Sequence, residues 1–268
     1  MKLIVFGVGG TVGSYFEKFC KEEKSIMCYF LTRKDADVTQ WKETESVIAN
    51  IQPDVVVNCT GYVRSDLAEK NIEETYTVNV LGAIYLALAC RNHNARLVQM
   101  DTVLSIAPVN HYGTSKKIAR DAVEKILGNA VYIPILSWLF GEKRSNNFTD
   151  LVLDAIKAHK SIEVTRTAYG SPTYAPDAIR YIIKQTLNGA SGKEEIANKG
   201  RVTRWDYCNE IFKILHRKNT FVINDNFKET ASRPSDMSLN GNLRPYEEAL
   251  KEYLKQDHKT LFKKPQIE

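Results

Sequence analysis

Short apolar runs alternate with longer amphipathic stretches along the first half of the chain. The runs are rich in β-branched residues, which is typical of strands buried on both faces of a sheet. The amphipathic stretches repeat their apolar positions with helical spacing. The pattern predicts strands at Lys2–Phe6, Met27–Leu31, Val55–Asn58, Arg96–Met100 and Val131–Ile135, and helices at Thr11–Glu22, Trp41–Asn50 (with Thr39 as N-cap), Thr75–His93 and Tyr112–Leu127. We therefore predict an α/β fold with a doubly wound parallel sheet.

The regular alternation ends near Trp138. Helical periodicity continues at Phe148–Ala158, Pro176–Leu187, Arg204–His216 and Pro245–Gln256, with short strand candidates at Ile162–Val164 and Thr220–Ile223. We predict a first domain over residues 1–138 and a smaller C-terminal lobe over residues 139–268. The helix at 176–187 is expected to pack back on the first domain.

The composition is that of an ordinary globular protein. Residues of the apolar class make up 43% and charged residues 26%, and the net charge is only +5. This charge is too small to indicate a nucleic-acid partner, although it allows a basic cleft for an anionic small molecule. The five cysteines form no CxxC pair, so we predict neither a metal site nor a disulfide framework, and a reducing compartment such as the cytoplasm. We expect no membrane span.

Glycines follow the first strand at the spacing G-x-x-G-x-x-G: Gly7, Gly10 and Gly13. Such a turn uses glycine for positive φ and for close approach of a pyrophosphate to the backbone. The helix that follows begins with Thr11 and Val12, and its N-terminus offers N–H groups and the positive end of a dipole to the anion. This strand–turn–helix arrangement predicts a Rossmann dinucleotide site; a tight turn that binds nothing is the simpler alternative.

The end of the second strand indicates which dinucleotide binds. An acidic residue there would hold the ribose 2′-hydroxyl, whereas a basic residue would accept a 2′-phosphate. The strand continues into Thr32, Arg33 and Lys34, and the planar fork of Arg33 suits a phosphate. We predict that NADP is preferred and that NAD is less favoured, with Asp37 and Val38 bordering the adenine. A solvated basic turn is the alternative.

Tyr112 and Lys116 carry the catalytic prediction. Their i, i+4 spacing places the phenol and the ammonium on one face of a helix. A neighbouring cation stabilises a phenolate, so we expect Lys116 to lower the pKa of Tyr112. Tyr112 could then protonate a carbonyl oxygen while a hydride arrives from the cofactor, with Lys116 near the nicotinamide ribose.

These residues, and others along nearly the whole chain, resemble the extended short-chain dehydrogenases/reductases, most closely the dTDP-4-dehydrorhamnose reductase group. The similarity is carried by the glycine turn, Asp37-Val38, Pro53-Asp54, Asn58-Cys59-Thr60-Gly61, Asp66 with Glu69, Asn79, Asn110–Lys116, Ser137-Trp138, Asn146–Phe148, Gly170–Thr173, Arg233-Pro234 and Leu239-Asn240.

The resemblance implies an NADPH-dependent reductase that acts on the 4-keto group of a nucleotide-diphospho-6-deoxyhexose in deoxysugar biosynthesis. It implies that Asn58, Cys59, Gly61 and Asn79 belong to the cofactor site, and that Trp138, Asn147 and Arg233 bind the sugar nucleotide. Residues 1–138 are accordingly predicted to bind NADP and residues 139–268 mainly the substrate. Without the resemblance, Trp138 would be interpreted as a core aromatic and Arg233 as a surface turn residue. Lys143 and Arg144 are candidates for neutralising the diphosphate, and a homodimer is possible.

One position departs from the family pattern. The family carries a Ser or Thr at the end of the strand that precedes the helix of Tyr112, in a pattern like Ser-Thr-Asp-Tyr-Val-Phe. The matching segment of this chain is Gln99–Leu104, and Met100 occupies the position of the hydroxyl residue. A methionine cannot donate a hydrogen bond to a substrate carbonyl. Thr102, two residues on and on the same side of an extended chain, is our candidate for the missing hydroxyl; Ser105 is a weaker one.

Met100 keeps two other functions open. The first is epimerisation, alone or combined with reduction, with Cys59 or another group moving a proton next to the ketone. The second is a non-catalytic regulatory or binding subunit, since this fold also occurs as a partner of methionine adenosyltransferase. Cys59 is otherwise interpreted as a small buried filler.

Overall fold

A computed structural model of the chain describes residues 1–141, 147–218, 220–226 and 230–262. In chain order its strands are β1 (Lys2–Phe6), β2 (Met27–Leu31), β3 (Val55–Asn58), β4 (Arg96–Gln99), β5 (Asp101–Thr102), β6 (Val131–Leu136), β7 (Leu139–Phe140), β8 (Glu163–Val164), β9 (Tyr169–Gly170), β10 (Thr173–Tyr174), β11 (Gly192–Ile196), β12 (Asn198–Lys199), β13 (Val202–Thr203), β14 (Val222–Ile223), β15 (Asp236–Met237) and β16 (Leu243–Pro245).

The α-helices follow the predicted positions closely. They are α1 (Thr11–Glu22), α2 (Trp41–Ile51), α3 (Ser65–Ala68), α4 (Ile72–Tyr76), α5 (Gly82–Asn92), α6 (His111–Leu127), α7 (Phe148–Lys157), α8 (Ala175–Leu187), α9 (Arg204–Ile214) and α10 (Tyr246–Asp257). A π-helical turn (Thr77–Leu81) joins α4 to α5, and 3₁₀ turns lie at Val103–Ser105, Gly128–Ala130 and Lys259–Phe262.

The central sheet has the order β2-β1-β3-β4-β6-β11, with β5 paired to β6. Strands β2, β1, β3, β4 and β6 run parallel. The side chains of β3 and β6 are buried along the whole strand, as expected where helices cover both faces of a parallel sheet. The predicted α/β fold with a parallel central sheet is confirmed.

Three local expectations were wrong. Thr39 is not the N-cap of α2: Gln40 occupies that position, and Thr39 instead hydrogen-bonds Asp37. The predicted continuous helix over 75–93 is interrupted by the π turn. Strand β11 was missed because its sequence, Gly-Lys-Glu-Glu-Ile, is polar; only Ile196 is buried, as suits the edge of a sheet.

The chain divides into two compact units. The first contains Met1–Ile135, Ile179–Glu194 and Glu229–Pro234, and the second contains Leu136–Ala178, Glu195–Lys228 and Ser235–Glu268. Within the first unit, the part of α8 from Ile179 onward packs on α1: the Arg180 guanidinium lies 3.8 Å from the Phe19 ring centroid and pairs with Glu22 at 3.1 Å. That residues 1–138 bind the cofactor and residues 139–268 mainly bind the substrate stays a prediction.

The second unit has its own core, made of α7, α9 and α10 with four small sheets. Aromatic rings dominate it; Phe140 contacts Tyr174, Tyr207 and Tyr253 with ring centroids 5.3–6.1 Å apart. Across the described part of the chain, none of the helices combines the length and apolar character needed to cross a bilayer.

Candidate active site

The glycine turn after β1 has the geometry of an anion cradle. Gly7 has φ +82°, and a Cβ there would lie 2.9 Å from the backbone of Cys59 and Thr60. A Cβ on Gly13 would lie 2.2 Å from the Gly7 carbonyl oxygen, so glycine lets α1 pack against the turn. Gly10 is different from our expectation: its φ is −92°, and it is the N-cap of α1 with no side chain over the helix end.

The N-terminus of α1 is suited to a pyrophosphate. No side chain caps it and no acidic residue lies in its first turn, which begins with Thr11 and Val12. A Cβ on Gly9 would meet no atom within 4 Å, so the backbone here is open to an approaching group. The dipole and the first N–H groups of α1 therefore have no capping side chain, and the residues present fit a dinucleotide phosphate.

A cleft of about 310 Å³ begins at this turn and extends along the ends of β2 and β3. Of the predicted cofactor residues, Gly7, Gly10, Arg33, Asp37, Val38, Cys59 and Gly61 line it. The sequence reasoning missed its other walls, formed by Gly9, Thr32, Ala36, Thr39, Thr60, Tyr62, Glu74 and Val78. Tyr62 and Glu74 carried no strand-end or motif signal that could have identified them.

Arg33 is held by an acid at the far end of this cleft. Its Nε donates a 2.8 Å hydrogen bond to Asp37 Oδ2, while Asp37 Oδ1 accepts from the backbone and hydroxyl of Thr39. The Arg33 side chain is 71% exposed. The hydrogen bond and charge of Asp37 raise the pKa of Arg33, and the charge of Glu74, which also lines the cleft, adds to this effect. A cationic fork and two carboxylates therefore share the region where a ribose 2′-substituent is expected.

Asn58 and Asn79 hold the loop after β3 rather than line the cleft. Asn58 Oδ1 accepts from the N–H and hydroxyl of Thr60, and its Nδ2 donates to Gln99. Asn79 Oδ1 accepts from the Tyr62 N–H at 2.7 Å, and its Nδ2 donates to the Ser115 hydroxyl at 2.9 Å. Asn79 lies in the π turn, a kind of distortion that often occurs at functional sites.

Tyr112 lies in the first turn of α6. Asn110 caps that helix by accepting a 2.7 Å hydrogen bond from the Gly113 N–H. Gly113 allows the helix to approach the 3₁₀ turn closely, since a Cβ there would lie 2.4 Å from the Leu104 carbonyl oxygen. Tyr112 is consequently only 8% exposed.

The surroundings of Tyr112 correct one expectation. Burial raises the pKa of Tyr112, the Asp101 carboxylate raises it further, and a hydrogen bond with Thr102 lowers it. The net shift is upward, whereas we expected Lys116 to lower it. The Lys116 ammonium instead donates a 2.5 Å hydrogen bond to the Met100 carbonyl oxygen, and burial lowers its own pKa.

Thr102 lies opposite Tyr112. Its backbone is extended (φ −134°, ψ 148°), and its hydroxyl caps the 3₁₀ turn by accepting from the Leu104 N–H at 3.4 Å. This hydroxyl lies close enough to the phenol to lower the pKa of Tyr112. Ser105, the weaker candidate, is buried and bonded to Asp101 and Arg120.

Arg233 is bound to Asp66 within the first unit. Its Nη2 lies 3.2 Å from Asp66 Oδ2, and its Nη1 donates to the Ala231 carbonyl at 2.8 Å. Asp66 also accepts from the Ala231 N–H, and Asn110 donates to the Ser232 carbonyl at 2.7 Å. The segment around Arg233 is thereby attached to the beginning of the Tyr112 helix.

Comparison with known proteins identifies the family of this chain. Residues 1–258 match the sequence profile of the family described as "RmlD substrate binding domain". The chain belongs to this family.

Relatives of this chain in the RmlD family include named reductases. A dTDP-4-keto-6-deoxy-D-glucose reductase of Streptomyces niveus is 27% identical over 229 residues, which is 80% of this chain and 76% of that protein. The crystal structure of dTDP-4-dehydrorhamnose reductase from Bacillus anthracis, in complex with NADP, is 26% identical in sequence and superposes with a TM-score of 0.88. The match covers 95% of this chain and 99% of the Bacillus anthracis chain. The corresponding Clostridium acetobutylicum enzyme has a TM-score of 0.88 and 25% identity, with the same coverage.

Two residues that the resemblance assigned to the substrate lie in the second unit. Trp138 has φ +29°, its ring covers Gly170, and the Arg204 guanidinium lies 5.0 Å from the ring centroid. Its Nε1 is buried and has no hydrogen-bond partner among the described residues. Asn147 is the N-cap of α7 and accepts from the Asp150 N–H at 3.0 Å. Lys143 and Arg144 lie outside the described residues.

Proposed function

We propose that this member of the RmlD family is an NADPH-dependent reductase of the 4-keto group of a nucleotide-diphospho-6-deoxyhexose. The observation that carries the proposal is that α6 brings Tyr112 to Thr102 and Lys116 to the Met100 carbonyl after β4. Lys116 also acts on Cys59, whose backbone lies against Gly7 of the turn that fits a pyrophosphate. The named relatives act on substrates of this class, which makes deoxysugar biosynthesis the natural setting.

Tyr112 is the proton donor in this proposal. Its raised pKa keeps the phenol protonated at neutral pH, as a donor to a carbonyl oxygen must be. Thr102 donates a second hydrogen bond to the same oxygen, where negative charge develops during reduction. Lys116, held by the Met100 carbonyl, orients the nicotinamide ribose.

The cleft would hold the cofactor, with the backbone at Gly7–Gly13 at its pyrophosphate and Val38 and Asp37 at its adenine. When bound, NADPH would supply the hydride that converts the ketone into an alcohol. Arg33 would exchange its Asp37 partner for the 2′-phosphate; because the Arg33 guanidinium is largely exposed, its pairing with Asp37 is worth at most about 1 kcal/mol.

Met100 favours one second candidate, a binding subunit without catalysis. A side chain without a hydroxyl occupies the position at which the family carries a donor, and loss of such a donor costs about 2.7–4 kcal/mol of transition-state stabilisation. Epimerisation through Cys59 gains no support, since burial raises the pKa of its thiol and so disfavours the thiolate. A cytoplasmic location and a homodimer remain predictions from the sequence.

The test is a spectrophotometric assay with a panel of 4-keto-6-deoxy sugar nucleotides, with NADPH and NADH in separate arms. Loss of absorbance at 340 nm together with formation of a 4-hydroxy sugar supports the reductase. Isomer formation without cofactor oxidation supports an epimerase. Binding of NADPH and sugar nucleotide without turnover supports the binding subunit.

A further inference from the structure

Helix α6 carries a third buried polar residue in line with the two proposed catalytic groups. Tyr112, Lys116 and Arg120 are spaced i, i+4, i+8 and therefore lie on one face of the helix. Each contacts the segment 100–105: Tyr112 contacts Thr102, Lys116 donates to the Met100 carbonyl, and Arg120 reaches Asp101 and Ser105. The proposed mechanism uses Tyr112 and Lys116 but not Arg120 or its partners.

Asp101 is the centre of the cluster. Its side chain is only 1% exposed. Its Oδ1 accepts from the Thr102 N–H at 2.8 Å, and its Oδ2 accepts from the Ser105 hydroxyl at 2.8 Å and from Arg120 Nη1 at 3.2 Å. Arg120 also donates to the hydroxyl and the carbonyl of Ser105, at 2.7 and 3.1 Å.

Burial raises the pKa of Asp101, and these contacts oppose it by favouring the ionised form. All three of its partners are hydrogen donors, which suits a carboxylate because a carboxylate only accepts hydrogen bonds. A buried carboxylate also needs a counter-cation, and the buried Arg120 guanidinium supplies one. The negative charge of Asp101 is therefore held beneath the two proposed catalytic groups.

We propose that Asp101 is a positioning residue, which fixes Thr102 opposite Tyr112 through the backbone and supplies the negative charge that faces the Lys116 ammonium, with Arg120 as its counterion. The proposal deepens the proposed function and rests on it for its kinetic consequence. Its electrostatic part concerns side chains of this chain alone and has a separate measurement.

Among the described residues, few titratable groups act on Lys116 and Tyr112. Lys116 is faced by Asp101 and by the Cys59 thiol, and Asp101 raises the pKa of Lys116 against the lowering by burial. Tyr112 is faced by Asp101, which raises its pKa. Arg120 is also 3.6 Å from the half-exposed Asp121. Removal of the Asp101 charge should accordingly lower the pKa of both Lys116 and Tyr112.

The direct test is the titration of Lys116 by NMR in full-length protein labelled with ¹³Cε-lysine, with the resonance assigned through Lys116→Met. In Asp101→Asn the pKa of Lys116 should fall by about one unit or more, the usual effect of losing an adjacent opposite charge. The matched control is Asp154→Asn with Lys157→Met, an exposed ion pair on α7, which should leave the Lys116 titration unchanged.

A second variant covers the possibility that Asp101→Asn folds poorly because Arg120 is left without its buried partner. Asp101→Asn with Arg120→Met removes both charges and should recover part of the lost melting temperature. The pKa of Lys116 should stay low in this double variant. A wild-type Lys116 titration in either variant would overturn the proposal, because the cluster would then be a purely structural contact.

Kinetics provide the second readout. Because Asp101 holds the Thr102 backbone, Asp101→Asn should lower kcat for the sugar nucleotide, while the Kd for NADPH should change little since Asp101 does not line the cleft. An active wild-type enzyme whose kcat and Lys116 titration are unaffected by Asp101→Asn would refute the role of Asp101 and leave the function intact. A wild-type protein without reductase activity whose Lys116 pKa still falls in Asp101→Asn would refute the function and retain the charge assignment.

Discussion

The Lys116 ammonium is bound to the backbone, not the side chain, of Met100: Nζ donates a 2.5 Å hydrogen bond to the carbonyl oxygen. The substitution that distinguishes this chain from the family pattern thus leaves the anchor of Lys116 in place, since any residue at position 100 provides that carbonyl. What the substitution removes is a hydroxyl donor. The hydroxyl that acts on the Tyr112 phenol is that of Thr102, which lowers its pKa.

We predict that Thr102→Val lowers turnover by about 10²-fold, because valine has a similar shape but cannot donate to the developing oxyanion. The measurement is kcat with the best sugar nucleotide from the assay panel, and Met100→Thr serves as the companion variant. Turnover in Met100→Thr should be equal to or higher than that of the wild-type protein.

The opposite pattern would have a clear meaning. A harmless Thr102→Val together with a large gain in Met100→Thr would show that no native hydroxyl serves the carbonyl. The chain would then be a weakened reductase or a binding subunit.

Tyr112→Phe should reduce kcat by about two orders of magnitude or more, the usual contribution of general acid catalysis. The Kd for NADPH, measured by fluorescence titration, should change little because the cleft walls do not include the phenol. Tyr76→Phe is a suitable control, since Tyr76 lies one residue before the π turn and bonds His111, not Tyr112. Near-normal reduction by Tyr112→Phe would refute the proposed proton donor.

The sheet was predictable because strands buried in a parallel sheet have continuous apolar sequences. Strands β2 and β3 have the predicted bounds, and β4 and β6 differ by one residue at one end. Strand β11 could not be found in this way: an edge strand buries little, so its residues need not be apolar.

Ion pairs between residues far apart in the chain could not be predicted from the sequence. Asp66 and Arg233 are 167 residues apart, and no periodicity connects them. The π turn at Asn79 was equally hidden, because one extra residue per turn hardly changes helical periodicity over a short segment. The predicted direction of the Tyr112 pKa shift was wrong for a related reason. The i, i+4 spacing indicates Lys116, whereas the burial of Tyr112 and its neighbour Asp101 are seen only in the folded chain.

Arg33 should make NADPH bind more tightly than NADH. Charge-assisted hydrogen bonds are worth about 1.5–3 kcal/mol, and a tenfold change in affinity corresponds to about 1.4 kcal/mol. Arg33→Glu should therefore lower the affinity for NADPH by about tenfold or more and leave that for NADH within a few-fold, as measured by calorimetric titration. Equal Kd values for the two cofactors in the wild-type protein would contradict this assignment.

Glu74 should act against Arg33, because its carboxylate lines the same end of the cleft. Glu74→Gln is expected to raise the affinity for NADPH and leave that for NADH unchanged. Glu73→Gln, on the same helix but outside the cleft wall, is the matched control. An equal gain for both cofactors in Glu74→Gln would place the carboxylate away from the 2′-substituent.

The glycine turn offers a test of the cradle that does not depend on the substrate. Gly13→Ala would bring a methyl group to 2.2 Å from the Gly7 carbonyl oxygen, within a backbone that cannot move aside without displacing α1. Such overpacking costs about 1–3 kcal/mol of unfolding free energy, and the displaced helix N-terminus should weaken NADPH binding as well.

Gly9→Ala is the control, because its new methyl group would meet no atom within 4 Å and should leave the melting temperature nearly unchanged. Gly9→Ala should nevertheless weaken NADPH binding if the pyrophosphate lies against this part of the turn, since the methyl group would occupy the approach. Calorimetric unfolding and NADPH titration of the two variants therefore separate the two tasks of the turn, and a Gly13→Ala protein with wild-type stability and affinity would show that the close contact between α1 and Gly7 is not required.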